Sequence, residues 1–287
     1  NYGWQDDNTI VYAGKIYSTG TPISVPMPGL ENIVANTKPT GTIEAWRNFV
    51  NLLIQKEMYD HLAIMLAGIG APLMRFTGMY GMTYHCGSTE SGTGKTLALE
   101  AAASVWGHPT HYRTGKSTSP VAMQQRLGLL NSLPAIMSSN THAVDMLTGA
   151  RKHASEGELR RLLEFIMDQP LTWEPHEIEI VKSLQHNYGV AGHIIVDYMA
   201  KNVDFLAKLV PDTVRTAYKE FNATNDERFW MAGIGTIIAA GVMINSKHAG
   251  VIDIPMIKII ERLHKVIDTM RGNVKGNGYV FVNVEGA

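Results

Sequence analysis

The sequence predicts an α/β fold in which a β/α lead-in precedes a phosphate-loop core and a mostly α-helical lid comes after it. Three observations carry this expectation. A short apolar strand, a glycine-rich turn and a helix of good formers succeed one another between Met82 and Trp106. The first forty residues are rich in Gly, Pro, Thr and Val, a composition of strands and turns. Beyond "GELRRLLEFIMD" the apolar residues recur at helical spacing almost to the end of the chain.

In chain order, residues 1–40 form the β-rich lead-in. "NTIVYAGKIYS" alternates like a strand, and Pro22, Pro26 and Pro28 break up the stretch after it. Residues 41–80 are helical: Thr42 is a plausible N-cap for "GTIEAWRNFVNLLIQ", and "EMYDHLAIMLAGIGAPLMRF" continues the period. Residues 81–175 make the core. Its strand "MTYHC" leads into the loop, and the helix "LALEAAASVW" stops at Gly107 and Pro109. "VAMQQRLGLLNS" reads as a further helix and "LPAIM" as a second short apolar strand. The lid spans 176–272, with "GHIIVDYMAKNVDFLAKLV", "VRTAYKEF", "RFWMAGIGTIIAAGVMINSKH" and "PMIKIIERLHKVIDTMRG" as its helices, and 273–287 is a strand-like tail.

Composition bounds the functional classes. With 287 residues, 45% of them apolar, the chain can bury a substantial core. A net charge of −1 excludes a wholly basic nucleic-acid binder, though not one that confines its cations to a few loops. The single Cys86 excludes an intramolecular disulfide framework and a Cys-rich zinc site, and it fits a reducing compartment. The most apolar stretch, Met231 to Ile244, falls short of the roughly 18 residues that span a bilayer, so a buried helix is expected and no membrane. The chain starts Asn-Tyr-Gly-Trp and carries no signal peptide, so it reads as a fragment of a longer protein.

The chemistry lies in "GSTESGTGKT", Gly87 to Thr96. Read back from Lys95, the pattern G-x-x-x-x-G-K-[ST] has Thr89 where its first glycine belongs. The phosphate-holding stretch is Thr89, Glu90, Ser91, Gly92, Thr93, Gly94, Lys95, Thr96 and Leu97. Gly92 and Gly94 let backbone N–H groups turn toward phosphate oxygens at the positive end of the helix that begins there. Lys95 would reach the β- and γ-phosphates and the Thr96 hydroxyl would bind Mg²⁺, so ATP or GTP with Mg²⁺ is the expected ligand. This makes the core a P-loop NTPase of RecA/AAA+-like type.

Hydrolysis needs an acid at the end of a neighbouring strand. "LPAIM" should run into Asp-Glu, yet it runs into "SSNT", and no Asp or Glu occurs between Glu100 and Asp145. Ser138, Ser139 and Asn140 look like a polar sensor at the tip of the next strand. Either the chain has lost its acid and only binds nucleotide, or a segment is missing near 137–139. The second is expected, because one strand cannot serve as both the acidic and the sensor strand.

"GWQDDNTIVYAGKIY", "GTIEAW", "GAPLMRFTG", "GTGKTLALEAAASVWGHP", "LLNSLPAIM", "SSNT", "GELRRLLE" and "NDERFWMAG" resemble, in this order, a family of phage, plasmid and mobile-element helicase-like P-loop ATPases. That family is largely catalogued as a domain of unknown function, and its members are often fused to primase-type replication domains. The resemblance implies a ring-forming, hexameric, ATP-driven DNA helicase or translocase of replication in the bacterial cytoplasm, acting on single-stranded or forked DNA. It assigns Lys95 and Thr96 as the loop's catalytic pair and Asn140 as the sensor. Arg160 or Arg161 would reach the neighbouring subunit's γ-phosphate, the plain alternative being an arginine pair bridged to Glu158 or Glu164. An ATP-dependent initiator, loader or nucleotide switch without unwinding activity is the alternative function.

Other candidates read as structural. Arg113 and Lys116 lie in a polar loop that could face DNA, although an ordinary surface loop is the expected role. The eleven histidines show no metal spacing with acidic company, and the fifteen methionines suit core filling. Arg228 in "DERFW" is expected to pack against aromatics in the lid.

Overall fold

The computed structural model describes residues 1–88, 91–113, 127–136, 160–167 and 169–275, with side chains to residue 272. The lead-in is a four-stranded antiparallel sheet in the order β1 (Gly3–Trp4), β2 (Ile10–Tyr12), β3 (Lys15–Tyr17) and β4 (Ile23–Ser24). The run expected as one alternating strand is a hairpin. Ala13 and Gly14 take φ of 50° and 72°, the left-handed pair whose twist suits a two-residue turn, and Ile10 then faces Tyr17. A short helix, α1 (Glu31–Thr37), stands after the proline-rich stretch, where composition predicts only strands and turns.

α2 (Ile43–Gln55) starts where expected, with the Thr42 hydroxyl accepting the Ala45 N–H at 3.1 Å. Its apolar stripe buries Trp46, Phe49, Val50 and Leu53. α3 (Tyr59–Gly70) continues as a 3₁₀ turn over Ala71–Thr77, where Pro72 has no N–H to offer an α-helical ladder. Residues 61 to 70 are all buried, because α4 (Lys95–Trp106) packs on one side of α3 and a helix of the C-terminal part, Arg228–Asn245, on another. Gly70 permits that second contact: a Cβ there would stand 2.8 Å from the Thr236 carbonyl oxygen.

β5 (Thr83–Gly87) pairs in parallel with β6 (Leu162–Ile166), with Thr83 opposite Leu162 and Gly87 opposite Ile166. The second strand expected at "LPAIM" is not formed over its described residues, 133–136. Residues 127–130 are helical and 134–136 carry no regular structure. A strand needs a ladder partner; here Leu133 N–H bonds the Leu130 carbonyl and the Pro134 carbonyl accepts from the Tyr112 hydroxyl, while the residues just before, 129–132, bond to the lead-in. Tyr2 N–H reaches the Leu129 carbonyl at 2.8 Å, Trp4 N–H the Ser132 hydroxyl at 2.9 Å, and the Asn131 amide the Trp4 carbonyl at 2.8 Å.

The C-terminal part holds α5 (Pro175–Ser183), α6 (Val190–Lys201), α7 (Val203–Glu220), α8 (Arg228–Asn245) and α9 (Met256–Lys275). The single helix expected across 192–210 breaks at Asn202, which leaves helical geometry at φ −127°, ψ 33°. α8, with the turn before it from Asn225, is long and apolar enough to cross a membrane, but 83% of that window is buried inside the fold. Arg271 of α9 grips Glu227 at its start through two bonds of 2.7 and 2.8 Å. The indoles of Trp46, Trp106 and Trp230 are fully buried with their N–H groups bonded to Ser104 Oγ, Gly68 O and Leu162 O. One continuous core joins the lead-in, the β5–α4 unit and the C-terminal helices.

Candidate functional site

A strand precedes the glycine-rich stretch and a helix follows it. β5 ends at Gly87, and α4 opens at Lys95 with Gly94 as its N-cap. Gly92 and Gly94 take φ of 76° and 82°, left-handed values that glycine reaches without cost. The two differ in surroundings. A Cβ on Gly92 would meet open space, whereas one on Gly94 would lie 2.4 Å from Leu171 Cδ1 and 2.6 Å from His61 Nε2. Thr93 is buried, Thr96 is exposed and Lys95 is partly exposed, its Nζ 3.5 Å from Thr93 Oγ1. The Leu97 side chain is buried in the core, which anchors the first turn of α4. Ser91 is exposed, while Thr89 and Glu90 lie outside the described residues.

Three carbonyls in and beside the loop, those of Gly87, Gly92 and Gly94, are held by groups from distant parts of the chain. Leu171 N–H bonds the Gly92 carbonyl at 3.1 Å, and Met167 N–H bonds that of Gly87 at 2.9 Å. His61, in the first turn of α3 and 4% exposed, sets its Nε2 3.1 Å from the Gly94 carbonyl. A carbonyl only accepts, so Nε2 carries the hydrogen. Burial presses the His61 pKa down to about 4 despite that bond, so the ring is neutral at pH 7. Its neighbour Asp60 accepts from Arg262 Nε of α9 at 2.5 Å, and Arg262 Nη2 also donates to the Ile166 carbonyl at 3.0 Å. Burial and then the Asp60 charge push the Cys86 thiol up to about 12, against the pull of Lys95, so Cys86 is no nucleophile at neutral pH. Sequence spacing could not reveal His61 and Leu171, which meet the loop, or Asp60 and Arg262 behind them, because the tertiary fold alone brings them together.

Arg160 and Arg161 sit just before β6, at the opposite end of the sheet from the loop. The register puts about 13 Å of strand between the two ends, at ~3.3 Å per residue. Arg160 pairs with Asp226 at 3.2 Å. Arg161 stacks on Phe229 with its guanidinium carbon 4.8 Å from the ring centre, and Arg228 flanks the same ring at 5.4 Å. The alternative ion pair between these arginines and Glu164 is not formed: Glu164 bonds His85 Nδ1 at 2.8 Å, on the strand opposite. Arg113 donates to Glu100 at 2.9 Å and to the Pro109 carbonyl at 2.8 Å, with its side chain 12% exposed. Lys116, Ser138, Ser139, Asn140, Glu158, the suspected gap at 137–139 and most of the 273–287 tail lie outside the described residues. Among the described residues, no three His, Cys, Asp or Glu side chains are grouped to hold a metal ion. A magnesium ion does not need such a cage, since it is commonly held by one or two protein oxygens together with nucleotide phosphates and water. The exposed Thr96 hydroxyl at the first turn of α4 fits that role.

A family model described as a domain of unknown function, DUF927, matches residues 1–139. The lead-in, the loop and α4 all fall inside that match. No curated protein matches the chain. Among solved structures, "SCCmec type IV Cch - active helicase" superposes with a TM-score of 0.69 at 17% identity, over 93% of this chain and 57% of that one. The chain therefore has the mixed α/β fold of part of that protein and spans less than two thirds of its length.

Proposed function

We propose that the chain is the ATP-hydrolysing part of a DNA helicase or translocase from a mobile element. ATP sits on the Gly92–Thr96 loop and is hydrolysed between subunits of a ring, a hexamer in this reading. The observation that carries the reading is the loop itself: two left-handed glycines, an exposed Thr96 and Lys95 at the helix start, with the carbonyls of Gly92 and Gly94 bonded to Leu171 and His61. Glycines in left-handed geometry at a helix start let backbone N–H groups turn toward an anion. Lys95 would neutralise the β- and γ-oxygens, and Thr96 would hold Mg²⁺. When bound, Mg²⁺ supplies charge neutralisation at those same oxygens. The likeness to a structure described as an active helicase supports the choice of DNA as the track.

Arg160 and Arg161 are too far along the sheet to serve their own loop, so in this reading they act on the neighbouring subunit's phosphate. Arg161 is the better placed of the two, because Arg160 is occupied by Asp226. The test is the ATPase rate with and without single-stranded DNA, in the wild type and in Lys95→Ala. DNA-stimulated turnover that Lys95→Ala abolishes supports the reading, and an unchanged rate in the mutant sinks the site assignment.

One observation favours a second reading. No acid occurs after Ile136 before Asp145, which suits a nucleotide-dependent initiator, loader or switch. Such a protein would bind ATP and assemble without unwinding a forked duplex.

A further inference from the structure

We propose that His61 is a positioning residue of the phosphate loop, holding the Gly94 carbonyl outward, and that Asp60 beside it links this support to α9. The inference rests on the reading of Gly92–Thr96 as a nucleotide loop. Its physical basis is the turn between Gly94 and Lys95. The Gly94 carbonyl and the Lys95 N–H belong to one peptide plane, so they point in opposite directions. Fixing the carbonyl toward His61 therefore fixes the Lys95 N–H on the other side, toward the space an anion would fill. The Gly94 carbonyl also accepts the Ala98 N–H at 2.9 Å, so it closes the first helical bond of α4 at the same time.

His61 does this from a rigid seat. It stands on the first turn of a buried helix, its Nε2 is the donor, and a Cβ on Gly94 would overlap it. A side chain at position 94 would crowd the histidine, so the approach depends on glycine. Asp60 is one residue earlier on the same turn and takes Arg262 from α9, while Arg262 also holds the Ile166 carbonyl at the end of β6. The next residue, Met167, bonds Gly87 at the entrance to the loop. Both ends of the loop thus connect to α9, one through Asp60–His61 and the other through β6. A displacement of α9 would reach the loop by these bonds, so nucleotide affinity and the position of α9 are coupled.

Two measurements test this on the full chain. The first is amide hydrogen exchange of residues 92–98 in the nucleotide-free protein, for wild type, His61→Gln and His61→Phe. Glutamine keeps an N–H donor at similar reach and phenylalanine keeps only the ring. We expect about tenfold faster exchange in His61→Phe, with His61→Gln within about threefold of wild type. Equal exchange in all three, or equal acceleration in both variants, overturns the donor role. The second is affinity for a fluorescent ATP analogue with Mg²⁺. His61→Phe should bind about tenfold more weakly, His61→Gln nearly as well as wild type, and Arg262→Ala should lose part of the same effect. If Arg262→Ala leaves both loop exchange and affinity unchanged, the link to α9 is wrong. If Lys95→Ala binds the analogue as tightly as wild type, the nucleotide reading falls, and the exchange measurement still judges His61 by itself.

Discussion

The two ends of the β5–β6 sheet treat polar groups in opposite ways. At the C-terminal end the groups that are held are acceptors. The carbonyls of Gly94, Gly92 and Gly87 are bonded by His61, Leu171 and Met167. The first N–H groups of α4 are the ones that no carbonyl of the helix itself can receive, and Thr96 is exposed. At the N-terminal end the cations rest on partners from α8 and the turn before it, Asp226 for Arg160 and Phe229 for Arg161 and Arg228. Donors gathered at a helix start, with the neighbouring acceptors already taken, suit an incoming anion. A cation resting on an aromatic face keeps its full charge while its direction is set. The first end looks like a receptor and the second like an effector aimed outward.

The largest effect expected from this contrast is on Arg161. Arg161→Ala should lower ATP turnover at saturating nucleotide by about 100-fold or more, with nucleotide affinity within about threefold of wild type. Arg160→Ala should cost less turnover and more stability, since it strips Asp226 of its partner. Mixing Arg161→Ala with Lys95→Ala protein should restore part of the activity if the residues act across an interface. Steady-state rates on the mixture decide the matter, and no complementation would place both on the same subunit's chemistry or on none.

Within the receptor end, Gly92 and Gly94 separate strain from crowding. Gly92→Ala meets open space, so only the left-handed backbone is penalised, by about 1–2 kcal/mol. Gly94→Ala adds overlap with Leu171 and His61 and should weaken nucleotide binding by about 10- to 100-fold, several times more than Gly92→Ala. Calorimetric titration with an ATP analogue measures both. Equal losses would mean that crowding at His61 is relieved cheaply and that the support is softer than its geometry suggests.

Much of this contrast was legible in the sequence at one end and hidden at the other. G-x-G-K-T is a contiguous signal, and its strand and helix flank it within a few residues, so local chemistry sufficed. The Thr42 cap and the buried α8 were readable for the same reason. The hairpin at Ala13–Gly14 was not, because alanine in a left-handed turn carries none of the Asn-Gly signal that marks such turns. "LPAIM" has strand composition, yet the segment it belongs to bonds to a lead-in more than a hundred residues away. His61 reaches Gly94 across 33 positions and Arg262 reaches Asp60 across 202, and no spacing rule spans such distances.

Acid should expose the receptor end's support in the stability of the fold. His61 has a folded pKa near 4 and an ordinary value of 6.5, so the unfolded chain binds the proton more readily. Stability from this group is complete above about pH 6.5 and is lost progressively as pH falls toward 4. Between pH 7 and 5 the loss is about 2 kcal/mol, at 1.36 kcal/mol per pKa unit. His193, also pressed down to about 4 by burial, works in the same direction. His108 is lowered by burial as well and Glu100 is raised, so it is the difference between wild type and a His61 variant that reports His61. Thermal melts over the same pH interval should fall for wild type and fall less steeply for His61→Gln. An identical slope in the two proteins would show that His61 titrates normally.

The smallest effect concerns a cation that belongs to neither end. Arg113 has the sequence context of a DNA-facing loop residue, but its guanidinium is buried against α4, with Glu100 at 2.9 Å. Burial raises the Glu100 pKa while Arg113 holds it down, so removing the arginine leaves a half-buried carboxylate without its counter-charge. Arg113→Ala should therefore cost about 1 kcal/mol, seen as a fall in Tm of roughly 2–4 °C for a chain of this size. DNA affinity, measured by fluorescence anisotropy with a labelled single strand, should stay within about twofold of wild type. The reverse pattern, weaker DNA binding with an unchanged Tm, would mean that the Glu100 pair opens on DNA and that Arg113 serves the track after all. A pair only 12% and 19% exposed has to break a charge-assisted bond and rehydrate both partners before it can do so. That cost is why the structural role is the one expected to survive the test.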